Sequence, residues 1–446
     1  MTDTAEISST TGIDKYFKVT ERGSTIATEV RAGVATFLVM AYIIFLNPSI
    51  LGEIGFDKAA LAAATALIAG ILSIAMGAIS NYPIAMAAGL GINAAVAFGL
   101  VFGRGLTPQG AMGVIVLEGI LITVLVILGL REKIMDAVPS SLKYAIGVGI
   151  GLFILFIGFV NGGLIQQGAG VPVEFIFPNS QGAALTLIGL VVTVVLYVKG
   201  VKGSLVISII VTTIIGLMMG VAAMPDSFVA TPSFATLGEF DLGNVFTTLG
   251  GLTAVLTIFT FMLTDFFDTM GTATAIAEQA ELVDEDGKLP DVGKLLLVDS
   301  IGAAVGGMAG VSSNTSYIES SAGVAEGGRT GLTSVVVGIL FLLSIFLSPL
   351  AAVIPSQATA PVLILVGFLM ASLVRKIDFT DIEEGFPALL AIILMPLTYS
   401  ITVGIGAGFV MHTLIKIAKG KIGDINVWMW GVSAAFLLYF AQNLIG

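Results

Sequence analysis

The chain lacks cysteine altogether, has a single histidine, and is charged at only 11% of its 446 positions. The absence of cysteine excludes disulfides and thiolate metal sites. The shortage of charge, with 56% hydrophobic residues and a mean hydropathy of +1.04, excludes an ordinary soluble domain and indicates an all-α polytopic membrane protein. The net charge of −11 comes largely from loop acids such as those of ELVDEDG, so it indicates solvated surface and no nucleic-acid partner.

The polar residues 1–23 contain no apolar stretch of the kind that a signal peptide requires, so we expect a cytoplasmic tail. Two later segments, 83–100 and 312–326, are rich in Gly, Ala, Ser and Asn and are too short or too polar for ordinary spanning helices. The predicted spans are 30–48, 59–79, 110–129, 140–160, 183–199, 204–221, 248–277, 295–311, 331–352, 360–374, 386–400, 402–418 and 428–444. Residues 386–418 could form one bent helix or a short hairpin, and the last run either crosses the membrane or lies along its surface.

The distribution of Lys and Arg supports fourteen crossings before residue 421. With a cytoplasmic N-terminus and both polar segments crossing, all but two of the 19 basic residues fall on the cytoplasmic side, and only Lys58 and Arg104 lie outside. Fourteen segments divide into two sets of seven, and a duplicated odd-numbered unit inserts with opposite orientation, which predicts an inverted repeat. The polar segments then occupy positions three and ten, where we expect half-helices preceded by short extended stretches.

Three carboxylates lie in segments that should be buried in the membrane. Asp265 and Asp268 interrupt the apolar run VLTIFTFMLTDFFDTMGTATAIA, and Glu319 lies in SSNTSYIESSAGVAEGGRT. A charge at the bilayer centre costs roughly 2.5–3.5 kcal/mol, so we expect these acids to line a wettable cavity. Residues three apart share a helix face, which predicts that Asp265 and Asp268 point into the same pocket.

The two polar segments contribute further candidates to this pocket. Asn93 and Gly91 lie at the centre of the first segment, and Ser316 precedes the acid of the second. Carboxylates accept hydrogen bonds from N–H groups, and an amide both donates and accepts, a combination that suits a planar heterocycle and repels small anions. Carboxyls crowded into such a site also hold protons, so the three acids are candidate carriers of a coupling proton.

Other polar residues receive structural interpretations. Glu118, a lone acid in the fourth span, is expected to partner a polar core group. Asp299 is expected to cap a helix N-terminus or to bond between domains. Glu326 and Arg329 are expected to form a local salt bridge. His412 has no neighbour in the sequence that favours a metal site, and neither a metal nor a cofactor is predicted.

The runs TDFFDTMGT, TSYIESSAGVAEGGRTG, AAGLGIN and VRAGVATFLVMAYIIFLNP resemble the adenine–guanine–hypoxanthine permeases, the AzgA-like branch of the nucleobase–cation symporter-2 (nucleobase–ascorbate) transporters. The resemblance covers residues 13–421. It implies an integral protein of the inner or plasma membrane that imports purine bases by proton symport, on a fold like that of the uracil permease. By the same resemblance, the binding residues are Asn93, Gly91, Asp265, Asp268 and Glu319.

The resemblance also implies a core domain, made of segments 1–4 and 8–11, that rocks or slides against a gate domain made of segments 5–7 and 12–14. Relatives on this fold often pair through the gate domain, which suggests a homodimer by analogy. The predicted units are a tail at 1–23, core at 24–135 and 248–352, gate at 136–230 and 353–421, and an extra C-terminal segment at 425–446.

Two other functions compete with purine import. An anion transporter or exchanger on the same fold is disfavoured by the acids and by the absence of Lys and Arg from both broken segments. An intramembrane aspartyl protease is disfavoured because such enzymes draw two acids from different helices, one in a GxGD pattern that this chain lacks. The sequence leaves open which purine is preferred and whether sodium replaces the proton.

Overall fold

The computed structural model describes residues 12–130, 138–168, 170–176, 180–224, 231–283 and 289–445. Apart from four short strands, the regular structure of these residues is helical. Within the described ranges, eight helical stretches are long and apolar enough to cross a membrane, and four shorter apolar stretches accompany them. These features agree with the predicted class of helical membrane protein.

The first half of the chain forms seven segments. The first segment is broken into two helices at Ala41 and Tyr42, and the third begins as a strand and ends as a π-helix at Phe102. A two-residue pair, β2 with β3, follows the fifth segment. The elements are α1 (Gly12–Phe17), α2 (Ile26–Met40), α3 (Ile43–Leu51), α4 (Lys58–Ser80), β1 (Met86–Ala88), α5 (Leu90–Ala94), α6 (Pro108–Ile127), α7 (Ser140–Asn161), β2 (Ile165–Gln166), β3 (Glu174–Phe175), α8 (Gln181–Val198) and α9 (Ser204–Met218).

The second half repeats this order after a short helix. The elements are α10 (Leu242–Leu249), α11 (Gly251–Gln279), α12 (Val292–Met308), β4 (Asn314–Ser316), α13 (Ser321–Ala325), α14 (Gly331–Ser344), α15 (Pro349–Val353), α16 (Ser356–Ala371), α17 (Ile382–Thr398), α18 (Ile401–Ala418) and α19 (Val427–Ile445). Residues 386–418 are therefore a hairpin of two helices, which turns at Tyr399 with φ +51°. The extra C-terminal segment is the helix α19.

Polar side chains fix where several spanning helices begin. Asp57 accepts a hydrogen bond from the backbone N–H of Ala60 at 2.7 Å, and Thr107 accepts one from Gly110 at 2.9 Å. Each side chain satisfies an N–H group that has no partner in the first turn of its helix. Pro108 at the start of α6 needs no such partner, because it has no N–H to satisfy.

Helix packing follows the inverted repeat. The second segment, α4, packs along the eleventh, α14, and the equivalent pair formed by the fourth and ninth segments, α6 and α12, packs in the same way. The fifth segment, α7, packs along the twelfth, α16, and the pairs α7 with α17 and α8 with α16 are again equivalent. We therefore distinguish a first bundle, residues 26–127 and 251–353, from a second bundle, residues 140–218 and 356–418.

Small residues let the paired helices of the first bundle approach backbone to backbone. A Cβ atom at Gly77 would lie 2.2 Å from the carbonyl oxygen of Gly331, and one at Gly119 would lie 2.2 Å from the backbone nitrogen of Ala304. Helices in a bilayer associate through such close van der Waals contact, because the lipid tails are as apolar as the helix surfaces and the hydrophobic effect does not drive association.

The two broken segments meet inside the first bundle. β1 pairs antiparallel with β4, so that Met86 lies opposite Ser316 and Ala88 lies opposite Asn314. The half-helix that begins at Leu90 follows β1, and α13 follows β4 after a single 3-10 turn. The prediction of extended stretches that lead into half-helices at positions three and ten is confirmed.

Part of the predicted tail is packed against the first bundle. Tyr16 donates a hydrogen bond to the carbonyl of Ala78 at 2.9 Å, and the Asn81 amide donates one to the carbonyl of Phe17 at 2.9 Å. Residues 12–23 thus dock on one face of the molecule, and residues 1–11 lie outside the described ranges. We call this the basic face, because it carries Arg22, Arg31, Lys202 and Arg329.

Candidate substrate site

Glu319 lies at the junction between β4 and α13, where the chain turns into the second half-helix. Its side chain is half-buried, and its Oε1 accepts a hydrogen bond from the hydroxyl of Tyr42 at 2.6 Å. Tyr42 is buried at the break between α2 and α3. One carboxylate oxygen is therefore fixed by a residue from the opposite half of the repeat.

Asp268 is the second acid of this site. It is exposed on α11, and its carboxylate interacts electrostatically with Asp299 and Glu319 and with the hydroxyls of Tyr42 and Tyr317. Tyr317 is itself held by a hydrogen bond to the carbonyl of Ala88 in β1. The two acids and two tyrosines lie together at the meeting point of the broken segments.

From Asp268, an exposed strip continues along α11 toward the basic face. Asp268, Gly271, Ala275 and Glu278 are all exposed, and their spacing places them on one side of the helix. A strip that combines two acids with residues of minimal bulk suits a water-filled cleft better than contact with lipid. We call the region bounded by this strip, Glu319, Tyr42 and Tyr317 the cleft.

Asp265 lies in a different environment from Asp268. Its side chain is fully buried, and the hydroxyl of Ser313 donates a hydrogen bond to its Oδ2 at 3.4 Å. Glu118 is its electrostatic neighbour on the buried side. The sequence predicted one pocket for both aspartates, whereas the structure places Asp268 in the cleft and Asp265 in the interior of the first bundle.

Asn93 is also buried, and its amide group is partly used within the protein. Its Nδ2 donates to Oδ1 of Asn47 at 2.8 Å, and Asn47 in turn donates to Thr65 at 2.8 Å and to the carbonyl of Val311 at 3.2 Å. Oδ1 of Asn93 is buried without a hydrogen-bond partner among the described residues. The amide therefore ties the first half-helix to the bundle and retains one acceptor.

Ser316 is committed to an acid that the sequence analysis placed at a helix end. The backbone N–H of Ser316 donates to Oδ1 of Asp299 at 3.0 Å, and its hydroxyl donates to the same atom at 2.9 Å. Oδ2 of Asp299 accepts a third hydrogen bond from Thr269 at 2.6 Å. Asp299 lies in the middle of α12, so it is not a cap, and its role is to hold β4 in place.

Gly91 lies at the contact between the two bundles. A Cβ atom there would lie 2.4 Å from Cγ2 of Ile150 on α7. Only glycine allows the first half-helix to approach the second bundle so closely without displacing that side chain. The structure thus places Gly91 at a close contact between the two bundles.

Glu326 and Arg329 do not form the expected local salt bridge. Glu326 pairs instead with Arg31, at 3.3 Å, and with Lys202 in the loop between α8 and α9. The guanidinium of Arg329 donates to the carbonyls of Val324 and Gly328, both at 2.9 Å. Glu326 therefore joins the two bundles at the basic face.

The chemistry of the cleft is that of a hydrogen-bond acceptor. Two carboxylates face it, and neither broken segment contains Lys or Arg. Within the described ranges, no group of three or more acidic or histidine side chains is spaced to hold a metal ion. The arrangement suits a neutral or cationic ligand that presents N–H donors.

A family model described as "Permease family" matches residues 27–439. The chain belongs to this family. Its purine-permease resemblance is confirmed, because the permease is 41% identical to the adenine permease AdeP of Escherichia coli K12, over 96% of this chain and 95% of that protein. It is also 40% identical to the guanine/hypoxanthine permease PbuG of Bacillus subtilis, over 95% of this chain and 98% of that protein.

The fold of the permease also matches a solved structure. The transmembrane domain of a cyanobacterial bicarbonate transporter, BicA, superposes with a TM-score of 0.63 at 14% identity, over 86% of this chain and 97% of that one. At this identity the likeness concerns the fold alone, and it confirms the arrangement of seven plus seven inverted segments. The protein is an integral membrane permease, so the protease alternative does not apply.

Sequence reasoning did not single out Tyr42, and it assigned Asp299 a different structural role from the one observed. Tyr42 lies in the apolar run MAYIIFLNP, where a tyrosine is not unusual. Pro48 in the same run nevertheless indicates an interrupted helix. Asp299 was detectable by the argument applied to Asp265, because it is an acid in the middle of an apolar span.

Proposed function

We propose that this permease is a secondary active transporter that imports purine nucleobases together with protons. The observation that carries the proposal is the pair formed by Glu319 and Asp268 at an open cleft where the two broken segments meet. The relatives named as adenine and guanine/hypoxanthine permeases support the substrate class.

The geometry suggests how a purine would be held. Tyr42 occupies Oε1 of Glu319, which leaves Oε2 to accept a hydrogen bond from a purine N–H. Asp268 offers a second acceptor on the facing helix, so that two edges of a planar base could be bound at once. Hydrogen bonds to ionised carboxylates are the stronger kind, which favours a base with well-placed N–H donors over an apolar ring.

The two bundles are the natural moving parts of such a transporter. We assign the first bundle to the core domain and the second to the gate domain, and we place the basic face in the cytoplasm of a cell with the permease in its inner or plasma membrane. The cleft then opens inward. Near the opposite face, the hydroxyls of Ser49 and Thr359 form a buried hydrogen bond of 2.8 Å between the bundles, which closes that side.

Anion transport is the second candidate on this fold. The bicarbonate transporter shows that the architecture supports it. However, two carboxylates at the cleft would repel an anion, and the broken segments offer no Lys or Arg to bind one. The residues of this chain therefore favour the purine.

Uptake of labelled adenine, guanine and hypoxanthine into cells that lack their own purine permeases tests the proposal. We expect the wild type to accumulate at least one base and the variants Glu319→Gln and Asp268→Asn to lose uptake at normal membrane levels. Glu53→Gln, at the opposite face, is the matched control and should transport normally. Normal uptake by Glu319→Gln, or sulfate or bicarbonate uptake in place of purine uptake, would contradict the proposal.

A further inference from the structure

The strongest unassigned feature of the molecule is a carboxyl group in the middle of α6. Glu118 is fully buried, and its carboxyl oxygens form no regular hydrogen bond with the described residues, although the hydroxyl of Ser313 lies close enough to interact with them. A buried carboxyl with so little hydrogen bonding is costly in its charged form and tolerable in its protonated form. Such a group inside a membrane bundle points to a bound proton or another ligand.

The residues around Glu118 provide no positive charge to compensate it. The helices α5, α6, α10 and α11 contain no Lys, Arg or His, and α12 contains only Lys294, which pairs with Asp291 at 3.0 Å near its start. The charged groups that face Glu118 are two further acids, Asp265 on α11 and Asp299 on α12. Three carboxyls therefore lie together among described helices that contain no other Lys, Arg or His.

Hydrogen bonds distinguish the three acids. Asp299 accepts three, from the N–H and hydroxyl of Ser316 and from Thr269, so its carboxylate form is well stabilised. Asp265 accepts one long hydrogen bond from Ser313. Glu118 shares that neighbour, because the Ser313 hydroxyl also interacts with its carboxyl. Two adjacent buried carboxyls cannot both ionise without a large electrostatic cost, so one proton is retained by the pair.

We propose that Glu118 and Asp265 share one proton and form the binding site of the coupling proton, separate from the cleft in which Asp268 and Glu319 meet the purine. This inference rests on the proposed function of proton-driven purine import. It assigns different tasks to the two aspartates of α11: Asp268 binds substrate, and Asp265 holds the transported proton together with Glu118.

The proton fits this site better than a metal cation does. Hard cations need about six oxygen ligands, and among the residues that the structure describes no group of three or more acidic or histidine side chains is spaced to hold a metal ion. A proton needs only one acceptor at a time. It also has an entry point, because Asp268 lies one turn beyond Asp265 on the same helix and is exposed to the cleft.

Glu118→Gln tests the proposal in proteoliposomes, because glutamine imitates the protonated acid and cannot release a proton. We expect the variant to bind purine and to exchange labelled purine across the membrane at equal concentrations, as the wild type does. We expect it to lose accumulation driven by an imposed proton gradient, and to lose the pH dependence of uptake. Glu53→Gln should behave as the wild type in all three assays.

Three results would overturn the proposal. They are proton-driven accumulation by Glu118→Gln at the wild-type level, accumulation by the wild type that follows a sodium gradient alone, and loss of exchange and binding in a folded Glu118→Gln protein.

A second measurement tests the proposal if the Glu118→Gln variant fails to fold. Infrared spectra of the wild type should show a protonated carboxyl band that shifts when Ser313 is changed to Ala, and absence of that band would contradict the shared proton. If the wild type binds no purine at all, the proposed function fails, whereas the infrared result still decides whether the pair holds a proton.

Discussion

Tyr42 and Glu319 are joined by a hydrogen bond of 2.6 Å although 277 positions separate them in the chain. Tyr42 comes from the break in the first segment, and Glu319 comes from the break in the tenth. The bond therefore connects an interruption in one half of the inverted repeat to an interruption in the other. It also decides which oxygen of Glu319 is available to the cleft.

Tyr42→Phe should weaken purine binding. The substitution removes the donor that orients Glu319, so the carboxylate must be ordered by the ligand itself, and preorganisation is lost. We expect the dissociation constant for purine to rise about tenfold or more, because a hydrogen bond to a charged group contributes about 1.5–3 kcal/mol. Isothermal titration with the solubilised permease measures this change.

Tyr16→Phe is the matched control for that measurement. It removes a tyrosine hydroxyl that bonds the carbonyl of Ala78 at 2.9 Å on the exposed basic face. Its purine affinity should equal that of the wild type. An unchanged affinity in Tyr42→Phe would show that Glu319 is oriented by other contacts.

Substitutions of Asp299 should disrupt the broken segments rather than the cleft chemistry. Asp299→Ala removes the acceptor of three hydrogen bonds, at a cost of about 1–3 kcal/mol for each donor left unpaired, whereas Asp299→Asn keeps one acceptor oxygen. We expect the melting temperature in detergent to fall strongly for the alanine variant and less for the asparagine variant. Ser300→Ala, which removes a hydroxyl bonded within α12, should cause only a small change.

Much of the architecture was predictable, because the bilayer penalises polar groups so heavily. The acids and amides of segments three and ten stood out against apolar runs, and the prediction of paired half-helices followed from them. The sequence did not reveal the difference in exposure between Asp265 and Asp268, which depends on rotation about a helix axis. Asp265 and Asp268 are separated by about 60° around α11, since each residue advances about 100°. That rotation sends one to the cleft and the other to the interior.

The contacts of Asp299 and Glu326 depended on information that a single sequence does not contain. The partners of Asp299 lie on β4 and α11, and those of Glu326 lie on α2 and in the loop after α8. Such long-range pairings depend on how segments pack, which apolar periodicity leaves open. Glu118 was interpreted as structural for the same reason, because its proximity to Asp265 appears only in the folded bundle.

A disulfide across the opposite face should lock the permease open toward the basic face. The hydroxyl oxygens of Ser49 and Thr359 are 2.8 Å apart, and the chain contains no native cysteine to interfere. We expect the Ser49→Cys and Thr359→Cys double variant to lose purine uptake after oxidation and to regain it after reduction. Each single variant should take up purine at the same rate before and after oxidation. Full uptake by the cross-linked protein would show that this contact does not open during transport.

The contact between Glu326 and Lys202 should not cause pH dependence near neutrality. The hydrogen bond from Lys202 holds the pKa of Glu326 below its usual range. A depressed folded-state pKa means that the contact is fully present above the ordinary glutamate pKa of about 4.3, and is lost only as the pH falls through the lower folded value.

Glu326→Gln should therefore leave the shape of the pH profile of uptake unchanged between about pH 5 and pH 8. The rate itself can change, because an ion pair between the two bundles at the basic face is altered. Uptake rates across that range, compared with those of Glu118→Gln, measure the difference. A flattened profile in Glu326→Gln would place the pH sensor at this surface.

The C-terminal helix packs antiparallel along α18. Ser433 lies 2.7 Å from the hydroxyl of Thr413, the ring of Phe436 lies 6.3 Å from that of Phe409, and Arg104 lies over the ring of Tyr439 at 5.2 Å. This register carries α19 away from the loop at Lys421 toward the opposite face. Its 19 residues span about 28 Å, close to the thickness of the hydrocarbon core.

We therefore predict that α19 is a fifteenth crossing and that it ends on the face opposite Lys421. A cysteine introduced at Ala441 should react with a membrane-impermeant maleimide from the side that carries Arg104, and a cysteine at Lys421 should react only from the other side. The cysteine-free chain makes both readouts unambiguous. Labelling of both positions from one side would mean that α19 lies along the membrane surface, and the contacts with Phe409 and Thr413 would then have to break in the bilayer.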